Sequence, residues 1–577
     1  MVNTLLNWKL IKFRNGFLIF LTFICLAEKL EGQISAESNK ALNITESIDF
    51  TTDRSVYIVT EPIFFKAFYF SELHINELNW SKVLYVELIT PDGKPLIQRK
   101  FQLNIDGTNG YLILPKDIAT GNYYMRAYTK WMRNFSPTHY PYQSIKIINP
   151  FTTELLQATV NQMDTMAKFK INNINDSIFE VVTNKNSYGK HENVVITLNN
   201  KTQNQLFNQM SVSVVKEGAQ GFLNNKLKNI DRISPNLNGL TYIPETRGIS
   251  FTGKVVNKKD SLPIAFSQIC LTVIGSSNEY LSSLTDTEGQ FYFSLPDHTG
   301  LIEVFIAANT SKVENEPLIL VENDFCNQKV ELPFLPLTIS EEERKLINLL
   351  IINSQLTQNF FPIKDSLNLN TNNVKTAFYG EPSFTLNFDD YIAMNDLEDY
   401  FKELIPSTKI YKKNQNKRIR IVGEYSELSI FEPLVLVDFV PIFNIKALLT
   451  ISPKHVKRIE VITKPYIMGN IVYGGIIHVV SGDGNFGGVS LPSTGQFFKV
   501  QTFENPNNYQ NPKVYNTRVP NTLNCIYWNP NISFGNKKEL KLSFETGDSP
   551  GKYYVIARGL NSSGIEMVKT YSFEIED

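Results

Sequence analysis

Cysteine and histidine are scarce in this sequence, with four and six among 577 residues. Cys270, Cys326 and Cys525 are widely separated, and Cys25 lies in an N-terminal apolar segment. Such spacing makes neither a disulfide framework nor a zinc motif. Cys270 and Cys326 either pair or remain buried thiols. None of His74, His139, His191, His298, His455 and His478 stands at ligand spacing from another, and there is no HExxH. Gly547-Asp-Ser-Pro-Gly551 fits Gly-x-Ser-x-Gly by its letters but reads as a turn joining two strands, not as the strand-to-helix turn of a nucleophile elbow. Gly474-Gly475 and Gly482–Gly488 lack both the strand-then-helix setting and the Lys-Ser/Thr of a phosphate loop. No catalytic, cofactor or metal role is assigned to any residue, and the chain reads as a non-enzyme. Charge of one sign is lacking as well. Lys+Arg is 56 against Asp+Glu 57, a net charge of −1, which argues against nucleic acid as a partner.

Long hydrophobic runs are confined to the N-terminus. Lys9, Lys12 and Arg14 precede Gly16–Ala27, GFLIFLTFICLA. A basic n-region before an apolar run of about 12 residues matches an export signal and is short for a membrane span. Residues 1–33 are therefore expected to be a signal peptide cut near Gly32–Gln33, with an uncleaved anchor as the alternative. Ile24 before Cys25 disfavours lipidation, because bacterial lipoprotein signals place a small residue there. No later segment reaches about 18 apolar residues, so the rest is not expected to span a membrane as helices. The expected location is the periplasm or the outer membrane.

What is abundant is aromatic: 39 Phe, 26 Tyr and 4 Trp, 12% of the chain. These residues favour strands, and the expected fold is mainly β, with tandem β-sandwich domains and one α+β domain. Val83–Ile89 alternates and precedes the turn Pro91-Asp92-Gly93; Tyr123–Tyr128 reads as another strand. A weak repeat follows. Asp53-Arg54, Tyr57 and Glu61 reappear as Asn184-Lys185, Tyr188 and Glu192, each ahead of a strand. The expected units are sandwiches at 34–150 and 151–245, a β-unit at 246–336, a helix and linker at 337–375, an α+β unit at 376–500 and a C-terminal β-domain at 501–577. Ser340 and Glu343 form a capping box before Leu346, Ile347, Leu349 and Leu350. Asn395 is expected to cap a helix carrying Leu397, Tyr400, Phe401 and Leu404, and Ser452-Pro453 to start another.

Asp53-Arg54, Tyr57, Glu61–Ala67, Leu84–Leu88 and Gly121–Thr129 resemble a macroglobulin-type β-domain. Gly253-Lys-Val255, Leu262–Ala265 and Thr285–Phe291 resemble the carboxypeptidase regulatory-like fold, which accompanies enzymes and transporters without being catalytic. Pro433–Asp438, Val440-Pro441, Val456–Ile462 and Tyr473–Ser481 resemble the plug domain of TonB-dependent outer-membrane receptors. The order of these units is similar to exported multidomain proteins of Bacteroidota. A receptor plug sits inside a barrel of roughly 22 strands, which needs over about 200 residues. Only 97 residues follow Val480, so the resemblance implies a plug-like unit that is free or contacts another protein. Macroglobulin inhibitors trap proteases through a Cys/Gln thioester motif; no such motif is present, and protease trapping is not implied.

Two surfaces are candidates for a partner. The basic run Lys409–Arg420 includes Lys412, Lys413, Arg418 and Arg420 and reads as a solvated strand edge or as a contact for acidic headgroups or an acidic partner. Trp131, Phe135, Tyr140 and Tyr142 form an aromatic stretch that is either core or partner surface. Four Asp-Ser/Thr-apolar triplets resemble the O-glycosylation acceptor of exported Bacteroidota proteins, through Thr165, Ser177, Ser261 and Ser366. The functional expectation is a binding or scaffold protein that docks an outer-membrane β-barrel or its assembly or transport partners. The alternative is an accessory ligand-binding protein for TonB-dependent uptake of glycans or peptides.

Overall fold

The computed structural model describes residues 46–71, 80–157, 169–171, 179–201, 209–220, 226–229, 240–275, 279–295, 297–309, 316–360, 377–413, 416–422, 430–505, 519–535, 537–560 and 566–577. The expected signal peptide, Cys25, Thr165, Ser177 and Ser366 lie outside them. The fold is mainly β.

The first sandwich has one sheet of Glu46–Thr52, Pro62–Ser71 and Thr108–Ile113. The facing sheet runs Pro95–Gln102, Val83–Ile89, Gly121–Tyr128 and Tyr142–Ile148, with Val56–Ile58 parallel to the last. Every residue of Val83–Ile89 is buried. Glu87 tolerates this because Arg126 Nε meets its carboxylate at 2.5 Å, and a buried charge needs such a partner.

The second sandwich repeats this strand order. Phe179–Thr183, Asn193–Asn200 and Glu539–Glu545 form one sheet; Cys525–Ile532, Gln209–Lys216, Gly551–Leu560 and Glu566–Ile575 form the other, with Ser187–Tyr188 parallel to the last. Its fourth and fifth strands, however, are joined by residues 217–524. In the first sandwich the same connection is a tight turn, Thr90–Lys94, with Gly93 at φ 82°. Lys216 N donates to Asn524 O at 3.0 Å, so the insertion leaves and returns at one point. Joining close ends costs little loop-closure entropy even for a long insertion.

The nesting continues inside the insertion. Gln268–Ile274, Glu279–Leu284 and Leu301–Asn309 share a sheet with Gln496–Gln501, opposite Ser250–Asn257, Gln290–Ser294 and Pro317–Val321. Between these parts lies the α+β unit, with sheet order Phe384–Asn387, Val456–Ile462, Ile476–Ser481, Leu434–Val437, Val440–Pro441. The expectation of a separate C-terminal domain at 501–577 is thus corrected: its strands complete the second sandwich. Residues 496–500, expected at the end of the α+β unit, close the sheet of the third together with Gln501.

Helix α1, Glu341–Phe360, starts at Ser340, whose Oγ accepts from Glu343 N at 3.1 Å. It runs on into residues 353–375, whose Asn/Thr-rich composition reads as the linker, because Asn353 and Ser354 are buried and Asn353 Nδ2 donates to Asn524 Oδ1 at 3.2 Å. Ile347 and Leu350 pack with Val56, Ile58, Val215, Cys525 and Trp528, tying the two sandwiches together. Helix α2, Leu397–Glu403, is capped by Asp396 rather than Asn395: the Asp396 carboxylate accepts from Asp399 N at 2.9 Å. Pro453–His455 is a single 3-10 turn, and Ser452 makes no side-chain cap bond.

The repeat read from sequence has one geometry in both copies. Tyr57 donates to Asp53 Oδ1 and Tyr188 to Asn184 Oδ1, each at 2.7 Å. Those acceptors also take Phe64 N at 3.1 Å and Val195 N at 2.8 Å. Arg54 pairs with Glu61 at 2.8 Å, and Lys185 pairs with Glu192. Their surroundings differ. Val56, Ile58 and Phe64 bury the first copy against the second sandwich, and Asn524 Nδ2 donates to Glu61 Oε1 at 2.9 Å. The matching Ser187, Gly189 and Val195 offer little apolar surface, and the Lys185–Glu192 pair is solvated.

Candidate functional site

The basic run forms a hairpin of Thr408–Lys413 and Asn416–Ile421. Opposed residues share a face. Thr408 and Ile421, Ile410 and Ile419 form one face, of which Thr408, Ile419 and Ile421 are buried. The other face presents Lys409 opposite Arg420 and Tyr411 opposite Arg418, with Lys413 beyond them. Like charges placed opposite one another repel by a few tenths of a kcal/mol or more, so packing within this hairpin does not explain the arrangement.

Neutralisation is partial. Lys417 pairs with Glu398, which also takes Lys402 at 2.8 Å. Arg418 Nη1 reaches both Glu432 oxygens at 2.9 and 2.8 Å. Lys409, Lys413 and Arg420 on the Tyr411 face, and Lys412 on the other, are exposed and have no carboxylate partner among the described residues. Arg420 lies over the Tyr411 ring at 5.6 Å. The result is a cationic ridge with an aromatic centre, suited to acidic groups by charge and to planar ones by stacking.

The aromatic stretch is placed elsewhere. Trp131 and Tyr140 are 3% and 1% exposed, and Phe135 is half-buried. Trp131 meets Trp80 edge-on at 5.8 Å, and Tyr140 stacks on Tyr128 at 4.7 Å. Arg133 donates to Asn323 O and Asp324 O at 3.0 and 2.8 Å and covers the Tyr242 ring at 4.1 Å. The expected partner surface at Trp131, Phe135 and Tyr140 is therefore corrected. This segment meets the chain's own third unit, and burial of rings this large is worth more than leaving them exposed.

Cys270, Cys326 and Cys525 are free and buried, which settles the pairing alternative for Cys270 and Cys326. Ser261 is exposed on a turn at φ 60°, its amide bonded to Asn257 O at 2.8 Å. No group of three metal-ligating side chains occurs among the described residues, and none of their helices is long and apolar enough to cross a membrane.

One buried polar cluster escaped sequence reading. His478, fully buried, accepts from Phe439 N through Nε2 at 3.2 Å; its Nδ1 lies 2.6 Å from Tyr379 Oη, and Tyr379 donates to Glu460. Burial pushes the Glu460 carboxyl up, but interactions with His478, Tyr379 and Arg458 outweigh it and hold the group at about 2. Thr272 of the third unit donates to Phe439 O at 3.0 Å, so the cluster braces a junction between units. These residues are scattered over 100 positions of sequence with no motif to announce them.

A scan against protein-family models finds no match, and a search of the curated proteins finds none either. Among solved structures the chain is similar to Salmonella alpha-2-macroglobulin reacted with methylamine, at 8% identity and TM-score 0.22 over 92% of this chain and 39% of that one. It is similar also to trypsin-activated alpha-2-macroglobulin from Escherichia coli, at 9% identity and TM-score 0.23 over 92% and 42%. The chain thus spans about two fifths of the length of these neighbours. Likeness at this level carries no conclusion about activity.

Proposed function

We propose that the protein is a non-enzymatic binding or scaffold protein of the periplasm or outer membrane, and that it docks an outer-membrane β-barrel or its assembly partners through the cationic hairpin. The observation that carries this is the uncompensated charge: Lys409, Lys412, Lys413 and Arg420 stand exposed with no carboxylate partner among the described residues. A partner that supplies acidic groups gains affinity and a faster encounter from such a ridge. On this reading the two sandwiches resemble macroglobulin-type domains, the third unit the carboxypeptidase regulatory-like fold and the α+β unit a receptor plug that acts outside a barrel of its own. Affinity purification from native outer membranes tests it. The chain is expected to bring down an outer-membrane protein, and the K412E/K413E/R420E variant to lose it. Recovery of the wild type solely as a free monomer would overturn the proposal.

A further inference from the structure

The geometry points to a second site: the groove where the third unit meets the first sandwich and the α+β unit binds a neutral oligosaccharide, with Phe266 as its stacking platform. This goes beyond the docking role and stands without it.

Two cavities meet at Phe266. One, of about 580 Å³, lies between the third unit and the α+β unit and is walled by Gln268, Asn309, Arg418, Glu432 and Tyr473. The other, of about 520 Å³, faces the first sandwich and is walled by Lys130, Thr252, Asp286, Tyr292 and Glu322. Junctions between units are where small-ligand sites tend to form. Phe266 lines both cavities, and a linear chain of several rings is the ligand that would use the two together.

Phe266 is 67% exposed and sits at φ 54°. A bulky residue in the left-handed region costs on the order of 1–3 kcal/mol, and an exposed ring recovers little of that through burial. The backbone is pinned there. Phe266 N donates to Thr285 O at 3.1 Å, and Ser267 N to Thr285 Oγ1 at 2.9 Å. An aromatic ring is thus held out of the sheet by a fixed, strained backbone, an arrangement that packing within the chain does not repay.

The walls match hydroxyl chemistry. Glu432 holds a single nitrogen of Arg418, leaving the rest of the guanidinium and further carboxylate lone pairs to meet vicinal hydroxyls; the two side chains are 37% and 55% exposed. Gln268 Nε2 donates to Tyr473 Oη at 2.8 Å and retains a second N–H. Cations and anions are mixed, with Lys130 and Arg418 against Asp286, Glu322 and Glu432, so the groove has no strong field of one sign to select a charged ligand. A sugar supplies donors and acceptors together, and an apolar ring face for Phe266.

The test is calorimetric titration of the full chain with linear hexasaccharides of α-1,4-glucose, β-1,4-xylose, β-1,4-mannose and β-1,4-N-acetylglucosamine, beside an uncharged hexapeptide. At least one saccharide is expected to bind with Kd between about 10 μM and 1 mM. F266A should weaken it about tenfold or more, a loss of about 1.4 kcal/mol or more, while F266Y, which keeps the ring, retains binding. An unchanged circular dichroism spectrum shows each variant folded. Failure of every saccharide to bind at about 5 mM, binding indifferent to F266A, or occupation of the groove by the peptide instead would each overturn the proposal.

Discussion

Exchanging one carboxylate for an amide in each copy of the repeat should give opposite results. Glu61 Oε2 accepts from Arg54 Nη2 and Ile58 N at 2.8 Å each, and Oε1 accepts from Asn524 Nδ2 at 2.9 Å. In Glu61→Gln an NH2 group must face one of these donors. Arg54, with a side chain only 5% exposed, keeps Asp53 at 3.2 Å, while its Nε has no partner among the described residues. Breaking a buried ion pair costs about 3–5 kcal/mol. The surviving Asp53 contact reduces that, and about 3 kcal/mol is expected for Glu61→Gln. The loss falls on the seam between the sandwiches, since Glu61 joins Asn524 and, through it, Leu350 O of α1. In Glu192→Gln the partner Lys185 is 56% exposed, so water replaces the lost contact and no change is expected. Urea unfolding and hydrogen exchange at Val56–Ile58 read the contrast: Glu61→Gln lowers the midpoint and speeds exchange there, and Glu192→Gln does neither. Equal shifts, or none from Glu61→Gln, would refute the claim that docking of the second sandwich buries the first copy.

Three further outcomes are expected. Trp131→Ala should destabilise by about 3–5 kcal/mol, as core aromatic truncations do, and leave partner recovery per folded molecule unchanged in a pull-down. On acidification, Glu460 contributes stability above its unfolded pKa of about 4.3 and loses it as the pH falls toward about 2; Glu460→Gln should flatten an acid unfolding curve over that window. Ser261→Ala should lower the intact mass of the protein from its native source by one glycan; a wild-type mass equal to the bare chain excludes modification at Ser261.

The β-class and the repeat were legible because both are local. Strand-forming residues recur over five to ten positions, and a Tyr four residues before a Glu sets a single turn. The nesting was not, because Val194 pairs with Phe544 and Leu301 with Gln501 across hundreds of residues, and no local pattern records such a partner. Asn353, Ser354 and Gln358 read as linker residues; α1 includes them because Asn524 and Ser549 await Asn353 across the seam. Trp131 and Tyr140 show the limit from the other side, since an aromatic cluster looks alike in sequence whether it faces solvent or the chain's own third unit. The basic hairpin was legible as a charge run, but which four of its cations have no counter-ion among the described residues depended on where Glu398 and Glu432 fall in space. Phe266 carried no signal, for a left-handed φ at a phenylalanine is invisible in sequence.

The docking claim is tested most directly by a photo-cross-linking residue placed at Lys413 in native membranes, with mass-spectrometric mapping of the adduct and the same residue at Lys538, in the second sandwich, as control. An outer-membrane β-barrel or its assembly partner cross-linked from position 413, through a segment rich in Asp and Glu, is the predicted result. No adduct from position 413, or the same adducts from both positions, would contradict it.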